Sequence, residues 1–260
     1  MSSPSRTRGF GSHAIRLGTQ NEVNGDPLAP YRLYWYPGTC SRIPYVALEE
    51  IGAPFEAVLE DRMANGPDYL LINPKGSVPA LIVDGRVLTE NVAIQTYLAR
   101  RHPDAQLLPL GDVDTEARVL EMLSWFASSI HPLVRQLRFP RWYSDDPEAL
   151  ESLRAKATPL LQRAFSILEE RLGDRDWLFG DWSLVDVHLL WLWFRATGSG
   201  LDGSPFPRLA AHATRCEAHP SVARVLEHEE RQLAALRDEG KVPEWVLPFQ
   251  AGHAPVVLAR

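Results

Sequence analysis

Two short runs carry the densest chemistry in the chain: Gly76-Ser77-Val78-Pro79-Ala80-Leu81 and Leu88-Thr89-Glu90-Asn91-Val92-Ala93-Ile94. Pro79 has no N–H and cannot donate to a β-ladder. The backbone of Val78 is therefore available to an extended partner from outside. Glu90 and Asn91 fall where a helix begins. N–H groups at a helix start favour a carboxylate, and Glu90 accepts from an amine. The ordinary reading of this pair is capping and dipole compensation. Beside Val78 and Pro79, the pair also suits an extended ligand bearing both a carboxylate and an amine, such as a small peptide.

Cys40 follows a Pro37-Gly38-Thr39 turn and stands one residue before a predicted helix. Helix N-termini stabilise thiolates, and Arg42 adds a nearby positive charge. Cys40 is thus either a low-pKa thiol or a small buried residue at a strand–helix joint. Ser41 is the natural cap of that helix, and a capping hydroxyl can also donate to a ligand thiolate. No second cysteine follows in the loop, so dithiol redox chemistry of the thioredoxin kind is not expected there. His131 precedes Pro132 at an expected helix kink, which can aim a side chain into a cleft or merely pack it. Phe139, Trp142 and Tyr143 cluster beside Arg138 and Arg141. They line an apolar pocket or pack between helices. His188, inside an apolar helix, reads as a core histidine.

These residues need a scaffold. Tyr31 to Tyr36 reads as a strand, Ser41 to Gly52 as a helix, and Phe55 to Leu59 as a second strand. A strand, helix and strand so close together imply a parallel crossover. Residues 61–72 read as irregular or weakly helical. Ala80 to Val83 and Arg86 to Thr89 form a hairpin around Asp84-Gly85. Asn91 to Arg101 is a helix stopped before Pro103. The expected fold is an α/β thioredoxin-like N-terminal domain over residues 31–103, a linker over 104–111, and an all-α helical C-terminal domain over 112–260. In the helical half, Val119, Leu123, Phe126 and Ile130 make one apolar stripe. A helix from Pro147 to Leu172 turns Leu153, Leu160, Leu161, Phe165 and Leu168 inward. The helix from Leu184 to Ala196 is apolar nearly all round and belongs at the centre. Ser183 to Asp186 forms a capping box at its start. Two shorter helices are expected at Phe206 to Ala218 and Ser221 to Arg237.

Composition narrows the function classes. The chain has 260 residues, 45% hydrophobic and 23% charged, with a net charge of -6. That charge disfavours bulk attraction to nucleic acid. The longest apolar run, Leu189 to Phe194, falls far short of the ~18 residues of a membrane span. Cys40 and Cys216 form no disulfide framework and no metal-ligand spacing, so no metal is expected and a reducing, cytoplasmic compartment fits. Residues 1–30 read as a flexible arm. Arg6, Arg8 and Arg16, with no acid before Glu22, give it a faint transit-peptide character, although a disordered tail has the same composition.

Together these motifs resemble the cytosolic glutathione transferases. The similarity covers Asn73 to Leu81, Leu88 to Ile94 and the Ser183 to Asp186 box, and spans about residues 31 to 235. In that family the proline matched by Pro79 is cis, and the residue matched by Val78 pairs its backbone with the cysteinyl part of glutathione. The positions of Glu90 and Asn91 bind the γ-glutamyl end. Tyr34-Trp35-Tyr36-Pro37-Gly38-Thr39-Cys40-Ser41 is similar to the opening of the bacterial beta class, whose cysteine contacts glutathione sulfur and can form a mixed disulfide. His131 matches the beta-class histidine that reaches glutathione from the helical domain. The chain departs from the pattern at three places. Trp35 stands where a tyrosine is usual, Pro132 replaces a lysine, and Asn91 replaces a serine, though an amide still bonds a carboxylate. The resemblance implies a detoxifying homodimer that conjugates glutathione, as co-substrate, to a small hydrophobic electrophile. Cys40, Ser41 and His131 would serve catalysis, with possible thiol–disulfide exchange through Cys40. Rival functions on this scaffold are a glutathione-dependent reductase, dehalogenase or isomerase, or a non-enzymatic binding protein.

Overall fold

Strand β1 (Tyr31–Trp35) is aromatic and β-branched-poor, yet it lies at the middle of the sheet because both its faces are covered. The computed structural model describes residues 30–60 and 67–241. The expected N-terminal arm, apart from residue 30, residues 61–66 of the stretch expected to be irregular or weakly helical, and the part of the expected helical domain beyond residue 241 lie outside the described residues. Helix α1 (Arg42–Ile51) ends at Gly52, whose φ of 69° supplies the left-handed cap that closes onto the Leu48 carbonyl. Strand β2 (Phe55–Leu59) then runs parallel to β1, with Tyr31 opposite Phe55. Helix α2 (Pro67–Ile72) is one short turn and a half. Strands β3 (Ala80–Val83) and β4 (Arg86–Thr89) form the expected hairpin, and Asp84 and Gly85 both take positive φ as a two-residue turn requires. β3 pairs antiparallel with β1, so the sheet order is β2-β1-β3-β4. Helix α3 (Asn91–Arg101) completes the thioredoxin-like half.

The helical half begins at α4 (Val113–Trp125). A kink was expected at Pro132. At that place α4 passes into a π-helical stretch, Phe126–Ile130, and α5 (His131–Arg138) starts with Pro132 in its first turn. Proline is tolerated there because its missing N–H needs no partner, and the wider π turn absorbs the break before it. Helix α6 (Pro147–Leu172) buries Ala157, Leu161, Ala164, Phe165, Leu168 and Leu172. Leu160 was expected inward and is 51% exposed. It stands 100° from Leu161 around the helix, off the buried stripe.

Helix α7 (Leu184–Thr197) is buried almost throughout and forms the centre of the core. The capping box at its start is present: Asp186 accepts from the Ser183 N–H and hydroxyl, and Ser183 Oγ accepts from the Val185 N–H. Asp186 also accepts from Leu178 N–H and pairs with His212, both buried. Helices α8 (Pro207–Glu217) and α9 (Pro220–Asp238) close the domain. α1 packs on both α7 and α9, which fixes the two halves against each other. No described helix is long and apolar enough to cross a membrane.

Candidate active site

The turn between β1 and α1 sets the position of Cys40. Thr39 N–H closes on the Tyr36 carbonyl, and Arg42 and Ile43 N–H donate to the carbonyls of Thr39 and Cys40. The first helix N–H groups are thus engaged within the turn. Ser41 was expected to cap α1. Its φ and ψ of -68° and -14° are already helical, so its hydroxyl points away from the next N–H groups. Ser41 is fully buried and its Oγ accepts from Tyr36 N–H at 3.1 Å and lies 2.6 Å from Thr39 Oγ1. It does not line the cleft.

Arg42 was expected to act on Cys40. It is buried against Glu229 instead, with Nε 3.1 Å from Oε1 and Nη2 2.6 Å from Oε2. Its charge is largely answered by that carboxylate, and its guanidinium lies over Phe194.

A second loop meets the first. Ser77 O accepts from Tyr69 Oη at 2.7 Å and from Asn73 Nδ2 at 2.6 Å. These bonds hold the approach to the Val78–Pro79 peptide, which is cis. The Cys40 thiol lies 3.6 Å from the Val78 carbonyl oxygen and donates to it. Glu90, at the start of α3, takes a φ of 73°. A non-glycine residue in that region is strained, and such strain gathers at binding and catalytic sites. Its carboxylate makes no capping bond to α3 and is met by Lys75 Nζ at 2.6 Å.

A single cleft gathers the sequence candidates other than Ser41 and Tyr143. Cys40, Val78, Pro79, Glu90 and Asn91 line one wall, and His131, Phe139 and Trp142 line the other. The two rings of Phe139 and Trp142 stack at 4.7 Å. Tyr143, expected in the same pocket, is exposed and lies off the cleft lining. His131 stands edge-on to Trp191 at 4.6 Å, and Trp191 Nε1 donates to the Gly38 carbonyl across the two halves. Trp35 is buried against Tyr45 and His228 and presents nothing to the cleft. His188 is buried at the cleft wall. Burial pushes its imidazole down to about 3, so it is neutral at ordinary pH.

Sequence reasoning missed Arg195. It is 5% exposed, lines the cleft, and interacts electrostatically with Cys40. A cation in the last turn of an otherwise apolar helix was the available signal. Arg135 and Arg138 also line the cleft, and burial lowers the Arg138 guanidinium to about 10. Among the described residues, no group of His, Cys, Asp and Glu is placed to hold a metal ion.

Comparison with known proteins agrees with this geometry. The glutathione S-transferase N-terminal domain model matches residues 29–100, and the C-terminal domain model matches residues 126–220. The glutathione S-transferase GstA of Escherichia coli O157:H7 is 32% identical over 210 residues, covering 76% of this chain and 98% of that protein. A sphingomonad glutathione S-transferase complexed with glutathione superposes with a TM-score of 0.68 at 33% identity, over 76% of this chain and 98% of that one. The beta-class glutathione S-transferase of Sphingomonas chungbukensis does so with the same TM-score at 34% identity and the same coverage. The chain belongs to the glutathione S-transferase family, and its similarity is to the bacterial beta class.

Proposed function

We propose that this protein is a glutathione transferase that conjugates glutathione to a small electrophile. The observation that carries the reading is the approach of the Cys40 thiol to the Val78 carbonyl, within a cleft that also holds Glu90 and Asn91. Glutathione runs along Val78 with its γ-glutamyl amine and carboxylate at Glu90 and Asn91, and its sulfur comes to Cys40. Residues 31–103 serve as the glutathione domain, 104–111 as a linker and 112–260 as the substrate domain. His131 reaches the bound peptide from the helical side. Phe139 and Trp142 receive the electrophile. In conjugation the glutathione sulfur forms a bond to carbon, the leaving group departs with its electron pair, and the thiol proton passes to solvent. Ser41, held inside its turn, supports Cys40 by fixing the loop. Family membership further supports a cytoplasmic homodimer with a detoxifying role.

The position of Cys40 on the cleft wall favours thiol–disulfide exchange as a second activity. The reading is tested by steady-state conjugation of glutathione to a chlorodinitrobenzene. Turnover well above the uncatalysed rate, saturating in glutathione, is expected. A rate no greater than the uncatalysed one at saturating glutathione would refute it.

A further inference from the structure

Helix α7 ends its apolar course with Arg195, whose guanidinium lines the cleft while the residue is 5% exposed. Among the described residues it has no hydrogen-bond acceptor and no ion-pair partner for that guanidinium. It lies over Phe139 at 5.6 Å, and Arg138 lies over the same ring at 5.5 Å. Arg135 adds a third cation to this wall, over Trp142. Arg138 donates to the Gly198 carbonyl and to Ser199 Oγ, and among the described residues no acid pairs with Arg195. Of the described residues lining the cleft, Glu90 is the one acid, and it meets Lys75. Glu229 is engaged by Arg42. Burial, and then the like charges of Arg138 and Arg42, pull the Arg195 guanidinium well below its ordinary range, while Cys40 and Glu229 act the other way. A cation with little access to water and no anionic partner is costly to hold, and a bound anion lowers that cost.

We propose that the helical wall of the cleft is a carboxylate site, so that the electrophile is an organic acid held through Arg195. This rests on the transferase reading above and names its second substrate. The planar guanidinium matches a carboxylate in two parallel hydrogen bonds. The stacked Phe139 and Trp142 supply an apolar surface for an unsaturated or aromatic body. Arg195 and Cys40 line the same cleft, so an acid anchored at Arg195 shares that space with the sulfur. Glutathione carries carboxylates of its own, but its docking residues Val78, Glu90 and Asn91 occupy the opposite wall.

The test is calorimetric binding of dinitrobenzoate and of its methyl ester, two unreactive probes, to the intact protein saturated with glutathione. The acid is expected to bind at least about tenfold more tightly than the ester, a margin in keeping with a charge-assisted bidentate pair. Arg195→Gln should reduce that preference to less than about twofold, and Arg195→Lys should restore part of it. Equal affinity of acid and ester in the unmodified protein would overturn the proposal, and this arm needs no variant to fold. Binding of the acid only when glutathione is absent would also overturn it, because the arginines would then serve glutathione itself. Both results are independent of conjugation turnover, whose absence would count against the transferase reading alone.

Discussion

Arg42 and Glu229 stand 187 residues apart in the chain and meet as a two-pronged ion pair with both side chains essentially out of water. The pair joins the first helix of the thioredoxin-like half to the last described helix of the other half. The position of the Cys40 turn against α7 and α9 depends on that junction, because Arg42 begins α1.

Removing one partner leaves a buried charge unanswered. Glu229→Ala should cost about 3–5 kcal/mol of stability. Replacing both by apolar residues of similar size, Arg42→Met with Glu229→Leu, should recover most of the loss. Urea unfolding midpoints check this. A double variant no more stable than Glu229→Ala would show that the pair does more than hold charges together.

Burial keeps the His188 imidazole neutral down to about 3. The unfolded chain takes up that proton near pH 6.5. Below that pH the unfolded state binds a proton that the folded state refuses, so stability falls as pH falls. From neutral pH to pH 5 this one side chain should remove about 2 kcal/mol. His219 and His228 are lowered in the same direction, by burial foremost, and steepen the slope. Comparing urea midpoints at neutral pH and near pH 5, His188→Gln should lose less stability than the unmodified protein. An equal loss in both would contradict the assignment.

Glu90 sits at the cleft with a strained backbone and an exposed carboxylate near Lys75. Glutathione should raise the melting temperature of the protein in a concentration-dependent way. Glu90→Ala should weaken glutathione about tenfold or more, in line with the loss of a charge-assisted hydrogen bond. An unchanged thermal response in that variant would remove Glu90 from the binding site.

Much of the cleft was legible from local signals. Val78-Pro79 and Glu90-Asn91 announced themselves by residue type, and the hairpin and the Ser183 box by spacing. What failed were statements that depended on a distant partner or on the exact turn the backbone takes. Nothing near Arg42 marks Glu229 as its acceptor. Ser41 has the composition of a cap, yet the Thr39 turn draws its hydroxyl inward. Tyr143 belongs to the right aromatic cluster, but the turn after Pro140 carries it outward while Trp142 stays on the cleft. Arg195 was passed over because periodicity tells which helix is buried, not which face of its last turn borders a cavity.

The central claim is that glutathione sulfur comes to rest beside Cys40. Incubation with oxidised glutathione, followed by intact-mass measurement and peptide mapping, tests it directly. The Cys40 thiolate attacks one sulfur of the disulfide, the S–S bond breaks, and one reduced glutathione leaves. Cys216 is fully buried in α8, and burial pushes its thiol well up, so it should not react in the folded protein. The expected product carries one glutathione per chain, on Cys40. Folded protein left unmodified at Cys40 under saturating oxidised glutathione would contradict the account.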